Sequence, residues 1–139
     1  MSTVTIEHTV IFDASPREVY DAYVDSKQHA AFTKARARIA KSVGGKMHAW
    51  DGYISGEMLV LEPGTRIIQT WITQSWPKGK PSSTLDLRLK KKGKKTELTM
   101  VHAGIPAAPA SVAHGFRTGW HSHYWDLMKA YFAGRRNAE

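Results

Sequence analysis

The sequence predicts an α+β fold, an antiparallel sheet with its helices gathered on one face, and three features carry that prediction. The first is the C-terminal run Ser111–Phe132, SVAHGFRTGWHSHYWDLMKAYF, where Val112, Phe116, Trp120, Tyr124, Leu127 and Tyr131 recur every three or four residues. That period is the signature of an amphipathic helix. The second is a pair of alternating runs, Ser83–Leu89 and Thr96–His102, which set Leu85, Leu87 and Leu89, then Leu98, Met100 and His102, on one face. The third is two short helix patterns in succession after an opening strand. A helix rising 1.5 Å per residue over the C-terminal run spans roughly 30 Å. Its aromatic stripe needs a broad apolar partner, which a curved sheet supplies.

In chain order, Thr3–Phe12 alternates Val4, Ile6, His8, Val10 and Phe12 against Thr3, Thr5, Glu7 and Thr9, interrupted only by Ile11, as a half-buried strand does. Ser15-Pro16-Arg17-Glu18 combines an N-cap, a proline at the first helical position and a capping box. Val19, Tyr20 and Tyr23 are the expected buried side of that helix. Asp25-Ser26 offers a second cap for a helix over Ser26–Phe32, with His29 and Phe32 inward. A polar loop is expected up to Gly44-Gly45. Lys46–Trp50 and Tyr53–Leu61 are then strands joined through Asp51-Gly52, a hairpin signal. Glu62-Pro-Gly-Thr65 turns the chain into a strand at Arg66–Thr73, and Trp76–Pro81 forms a loop. Lys90-Lys-Lys-Gly-Lys-Lys95, centred on Gly93, is a hairpin turn whose charge protects a sheet edge from pairing with other chains. Ser111 is the expected N-cap of the last helix and Gly134 its stop, with Arg135 and Arg136 near its negative end.

Length and composition narrow the function classes. The 139 residues fit one domain, 1–139, large enough to bury its own core. There are no cysteines, which excludes disulfides and thiolate chemistry. MSTVTIEHTVIFDAS shows no charged segment leading into an apolar block, so no signal peptide is expected. No window is long and apolar enough for a membrane span, and a cytoplasmic location is expected. The net charge of +8 suits an anionic partner. Its two concentrations, the lysine turn and Lys34-Ala-Arg-Ala-Arg38 with Lys41, do not interleave aromatics in a nucleic-acid motif.

Several stretches together resemble a known family. They are Phe12-Asp-Ala-Ser-Pro-Arg-Glu-Val-Tyr-Asp-Ala-Tyr23, Gly44-Gly-Lys-Met47, Asp51-Gly-Tyr-Ile-Ser-Gly56, Leu61-Glu-Pro-Gly-Thr-Arg-Ile-Ile-Gln-Thr-Trp71, Thr96-Glu-Leu-Thr-Met-Val-His102, and Gly119-Trp120 followed by Tyr124, Leu127 and Phe132. This pattern resembles the SRPBCC or START-like helix-grip superfamily. Within it, the chain is similar to activators of the heat-shock protein 90 ATPase, C-terminal-domain type. The resemblance implies a curved antiparallel sheet wrapped around the long helix, with a cavity between them that relatives use for apolar ligands. The co-chaperone members are longer and carry a further N-terminal domain.

Seven histidines raise the question of a metal. His121 and His123, two apart on a helix, point about 160° apart, and His114 and His121 lie roughly 10 Å apart along it. No HExxH or facial-triad spacing occurs, and neither a metal nor a cofactor is expected. The expected function is binding of a small, largely apolar ligand, with Trp71, Leu85, Leu87 and Met100 as the sheet wall and Trp120 and Tyr124 as the helix wall. Phe32 and Met47 would close the ends, and His102 would orient any polar group of the ligand. The alternatives are a protein-interaction module using the basic surface, in the manner of a chaperone partner, and a cofactor-free hydrolase, cyclase or isomerase with His102 as base. The chain is expected to be a monomer or homodimer.

Overall fold

The structure, a computed structural model, describes residues 2–137. Alternation produces the opening strand as expected: β1 (Thr3–Phe12) buries Ile6, Val10 and Phe12 and turns its threonines to solvent. The capping box starts α1 (Pro16–Val24), with the Ser15 hydroxyl accepting from the Glu18 N–H at 3.2 Å and the Glu18 carboxylate accepting from the Ser15 N–H at 2.9 Å. Asp25 caps α2 (Ser26–Thr33) by accepting from the Gln28 N–H at 3.0 Å. The polar loop that follows contains a short strand, β2 (Arg38–Ile39). It forms because Ser26 at the start of α2 accepts from the Ile39 N–H at 2.8 Å, holding this segment beside β3 (Lys46–Ala49).

The strand expected to reach Trp50 stops at Ala49, because Trp50 and Asp51 adopt left-handed backbone angles in a 3₁₀ turn, Trp50–Gly52. The chain then runs through β4 (Ile54–Glu62), β5 (Arg66–Thr73), β6 (Ser83–Lys92) and β7 (Lys95–Pro106). The lysine turn is the tight connection from β6 to β7, with Lys92 opposite Lys95. All neighbours are antiparallel, in the order β1-β7-β6-β5-β4-β3-β2. This is the curved sheet of a helix-grip α+β fold. Irregularities in β1 between Val4 and Ile6 and in β4 between Met58 and Val60 add the local twist that bends a sheet.

The last helix differs most from expectation. It begins as α3 (Ala110–Trp120), widens into a π-helical turn at His121–Trp125 and resumes as α4 (Asp126–Asn137). Pro109 stands at the N-cap without a side-chain bond, and Ser111 lies inside the helix. Gly134 does not end it; Arg135 donates to Gln28 at 3.1 Å and lies over the Tyr131 ring, while the Arg136 side chain is outside the described residues. In the π turn the Asp126 N–H reaches back five residues to the His121 carbonyl. The extra residue rotates everything after it. Met128 and Phe132 are therefore fully buried, and Leu127 and Tyr131, expected in the buried stripe, are only partly so.

One position shows how closely the strands coil together. A Cβ on Gly56 would sit 1.9 Å from the Thr70 carbonyl oxygen, and neither backbone can yield without breaking the β4–β5 ladder. Gly56→Ala is expected to destabilise by about 2–3 kcal/mol, the upper range for overpacking. Urea unfolding of the two proteins checks this, and an unchanged midpoint would contradict it.

Candidate functional site

Between α3 and the near ends of β4 and β5 lies a groove-like cavity of about 560 Å³, within the size range of small-molecule sites. Its walls are aromatic and aliphatic: Trp50, Ile54 and Trp71 from the sheet side, Val112, Phe116, Trp120 and Tyr124 from the helix. A hydroxyl cluster marks its rim, where Tyr53 and Ser75 are hydrogen-bonded and Thr73 lies 3.3 Å from Ser75. None of the lining residues is a lysine, arginine, aspartate or glutamate.

The helix wall is held by three hydrogen bonds of one kind. The Trp120 indole N–H donates to His102 Nδ1 at 3.2 Å, the Tyr124 hydroxyl to His29 Nε2 at 2.9 Å, and the Trp125 N–H to His8 Nδ1 at 3.0 Å. The accepting histidines lie on β7, α2 and β1. Each acceptor nitrogen must be unprotonated, which assigns the tautomers. His102 Nε2–H then donates to Ser83, whose hydroxyl donates to the Trp71 carbonyl, both at 2.8 Å. His29 Nδ1–H donates to the Tyr23 carbonyl at 2.8 Å. Burial pushes His102 down to about 3. Burial also lowers His29 to about 4, opposed by its bond to the Tyr23 carbonyl. Burial, and secondarily the neighbouring Tyr23, keep the Tyr124 phenol well above its usual range.

Two indole N–H groups in the cavity wall stand apart from this scheme. Those of Trp71 and Trp50 are buried and have no hydrogen-bond partner among the described residues. The Trp50 N–H faces the Tyr124 oxygen and slightly favours its ionised form, but falls short of a hydrogen bond. Trp71 is 2% exposed, and a donor left unpaired at such a site costs about 1–3 kcal/mol.

Of the nine residues named from sequence, Trp71, Trp120 and Tyr124 meet at the cavity. His102 lies one layer behind, its ring 5.4 Å from that of Phe116. Both its nitrogens are engaged, and its partners are Ser83 and Trp120, not an acid. Phe32, Met47, Leu85, Leu87 and Met100 pack in the core, outside the lining. Sequence reasoning left Phe116 and Trp50 out of the site. Phe116 was accessible to it, being one turn before Trp120 on the same stripe. Trp50 was not, since its place follows from left-handed backbone angles that no local pattern announces. His8 and His121, far apart in sequence, have their ring centroids 4.5 Å apart, tilted 32° to one another. Among the described residues no three His, Asp or Glu side chains converge as metal ligands would, and no helix is long and apolar enough to cross a membrane.

Comparison with known proteins places this geometry. The family model described as Activator of Hsp90 ATPase homolog 1-like protein matches residues 13–133. The human activator of 90 kDa heat shock protein ATPase homolog 1 is 36% identical over 129 residues, covering 93% of this chain and 36% of its own length. A Dictyostelium discoideum relative of similar name is 30% identical over 133 residues, 95% of this chain and 34% of its own. The chain thus spans about a third of the curated relatives it matches. Among solved structures, an HSP90 activator from Plasmodium falciparum superposes with a TM-score of 0.83 at 22% identity, covering 91% of this chain and 94% of that one. The Aha1 dimer from Colwellia psychrerythraea gives 0.78 at 19%, covering 94% and 98%. At these identities the two structures show the shared fold.

The buried histidines predict a pH dependence. Their folded values lie below the ordinary 6.5, so the unfolded chain binds the extra protons and stability falls as pH drops below 6.5. Each histidine should contribute a slope of about 1.4 kcal/mol per pH unit, ending near 4 for His29 and near 3 for His102. Denaturant unfolding between pH 7.5 and 4.5 should show it, with a shallower slope in His102→Gln; a flat profile would contradict the neutral assignment.

Proposed function

On the premise that this chain belongs to the family of activator of Hsp90 ATPase homolog 1-like proteins, we propose that it acts in the cytoplasm as a single helix-grip domain that binds a small, largely apolar molecule in the α3 groove. The observation that carries this reading is the cavity of about 560 Å³ with aromatic walls, which core filling alone would not leave open. Of the residues assigned from sequence, Trp71, Trp120 and Tyr124 contact the ligand, His102 holds Trp120 in place, and the remaining five support the walls from behind. Catalysis by His102 as a base is disfavoured, because both ring nitrogens are committed and burial already opposes its protonation.

Gly115 supplies a test that does not compromise the core. It lines the groove, and a Cβ placed on it meets nothing within 4 Å. Gly115→Leu should raise stability by up to ~1 kcal/mol through helix propensity while filling the groove. Native mass spectrometry of the wild type after expression should find a bound small molecule that organic extraction releases, and the leucine variant should lack it. A ligand carried equally by both proteins would move the site elsewhere.

A second reading has its own support. The human and Dictyostelium relatives are named as activators of the 90 kDa heat shock protein ATPase, and the lysine hairpin offers a basic surface to a protein partner. The hairpin is at the far end of β6 from Ser83, roughly 30 Å along the strand. Binding to an Hsp90-type chaperone through this surface should weaken sharply between 50 and 300 mM salt and in a variant with Lys90, Lys91, Lys94 and Lys95 changed to Gln, and be unaffected by Gly115→Leu. Loss of chaperone binding in Gly115→Leu alone would instead make the groove itself the docking site.

A further inference from the structure

We infer that the cleft between α2 and the β2–β3 edge of the sheet is a second binding site, one that takes the phosphoryl groups of a polyanionic ligand. It lies apart from the α3 groove and does not depend on the groove reading. Four nitrogen-bearing side chains from separate parts of the chain line this open cleft of about 710 Å³: Lys27 on α2, Arg36 in the loop after it, Arg38 on β2 and His48 on β3. The basic run Lys34-Ala-Arg-Ala-Arg38 thus lends its two arginines to one wall of a concavity. Two local contacts build that wall. The Ser26–Ile39 bond that creates β2 sets Arg38 beside α2. The Asp51 carboxylate accepts from the Arg36 N–H at 2.9 Å and fixes the loop against the Trp50–Gly52 turn. Trp50 and Asp51 hold that turn in left-handed backbone angles, a costly conformation for non-glycine residues that clusters at ligand clamps.

The charge of the cleft is left uncompensated. Elsewhere the surface pairs cations with acids: Arg17 with Asp21, Lys46 with Glu57, Arg66 and Arg88 with Asp86, Lys92 with Glu97. The side chains of Lys27, Arg38 and His48 have no ion pair or hydrogen bond among the described residues. Arg38 and His48 stand directly opposite each other across β2 and β3, a place where an acid would stabilise the arginine and a like charge weakens the pairing. The adjoining ladder has the stabilising kind of pair, Lys46 opposite Glu57 at 3.1 Å. The acid in the lining, Asp51, is committed to Arg36, whose Nε lies 3.4 Å away. Nearby Asp25 caps Gln28 and binds Lys41. The cleft therefore sets Lys27, Arg36 and Arg38 against one carboxylate, and the rest of its lining is a serine, two alanines and a glycine. Nothing there would hold an apolar body or stack on a ring. A compact polyanion fits, because the guanidinium forks of Arg36 and Arg38 match pairs of phosphate oxygens, Lys27 adds a point charge and His48 a ring N–H.

The test titrates pyrophosphate into the ¹⁵N-labelled full chain at constant ionic strength, with citrate as a carboxylate control of similar charge. Pyrophosphate should shift the amides of Lys27, Arg36, Arg38 and His48 and bind about fivefold more tightly than citrate. Lys27→Gln with Arg38→Gln should weaken it by about tenfold, through the loss of two charge-assisted contacts. Lys91→Gln with Lys94→Gln removes the same charge from the distant hairpin and should change the affinity less than about twofold. All four side chains are exposed, and unchanged amide spectra away from the substitutions show that both variants fold. Equal losses in the two variants would reduce the effect to net charge and overturn the site, as would no binding or shifts confined to the hairpin. Citrate binding as tightly as pyrophosphate would overturn the phosphoryl assignment. A hexaglutamate peptide that bound the cleft more tightly than pyrophosphate would overturn it in favour of an acidic protein partner. Sedimentation with phosphatidylcholine vesicles carrying about 5% phosphatidylinositol bisphosphate separates the two sources of such groups. Retention that pyrophosphate displaces assigns them to a lipid headgroup, and pyrophosphate binding without retention assigns them to a soluble molecule.

Discussion

Three aromatic side chains of the C-terminal helix each donate a hydrogen to a neutral histidine on a different part of the fold, and the rest of the structure depends on that arrangement. Trp120 reaches β7, Tyr124 reaches α2 and Trp125 reaches β1. In an unbroken α-helix Trp120 and Trp125 would point about 140° apart. Here their rings stack, 5.1 Å between centroids and 17° from parallel. The π turn makes this possible, because one residue too many in the helical turn swings Trp125 back over Trp120. Such turns are rare and concentrate at functional sites. In this protein the turn also separates the helix into two parts with different roles.

Beyond the turn, α4 is a packing helix, with Met128 and Phe132 buried against Phe12 and its neighbours. Before it, α3 buries only Ala113 and Trp120 fully, and its other apolar residues, Val112 and Phe116, face a groove in place of a filled core. The helix is anchored at its middle and end and stands off at its start. Gly115 and Gly119 fit this account, since both line the groove and no sheet atom comes within 4 Å of a Cβ on either. These glycines therefore do not serve a close approach to the sheet; they widen the space beside it.

The fold was legible in the sequence because its signals are local and periodic. Alternation in β1, β6 and β7, the Ser15–Glu18 capping box and the Asp25 cap each depend on residues within a few positions of one another. The departures arise where a distant partner decides. β2 exists because Ser26 holds Ile39 in place. The shift of the buried face from Leu127 and Tyr131 to Met128 and Phe132 follows from a π turn that satisfies histidines more than a hundred positions away in one case and about twenty in another. The site divides along the same line. Trp71, Trp120 and Tyr124 were visible as aromatics on faces already known to be apolar. Leu85, Leu87 and Met100 share a face with Trp71, but they are buried in the core, and the groove meets the sheet only at Trp50, Tyr53, Ile54, Trp71 and Thr73. Periodicity assigns a face; it does not say which part of that face stays uncovered.

The two functional readings occupy opposite ends of β6, and this bears on how they relate. At one end Ser83 joins His102 to the Trp71 backbone, behind the groove wall. At the other, the turn concentrates lysines, of which Lys92 is paired with Glu97 at 2.9 Å. Between them the strand buries Leu85, Leu87 and Leu89, a rigid and fully packed segment with no buried charge. A ligand in the groove therefore has no mobile element through which to alter the basic surface, and it can act on a protein partner only by being part of the contact. Coupling between two sites requires an element with two arrangements that both sites bias. In this fold the candidate is α3, which is held at its C-terminal end by Trp120 and only partly packed before it. Any link between a bound molecule and a chaperone partner would run through α3 and the rim it forms with Tyr53 and Ser75, and not along the sheet.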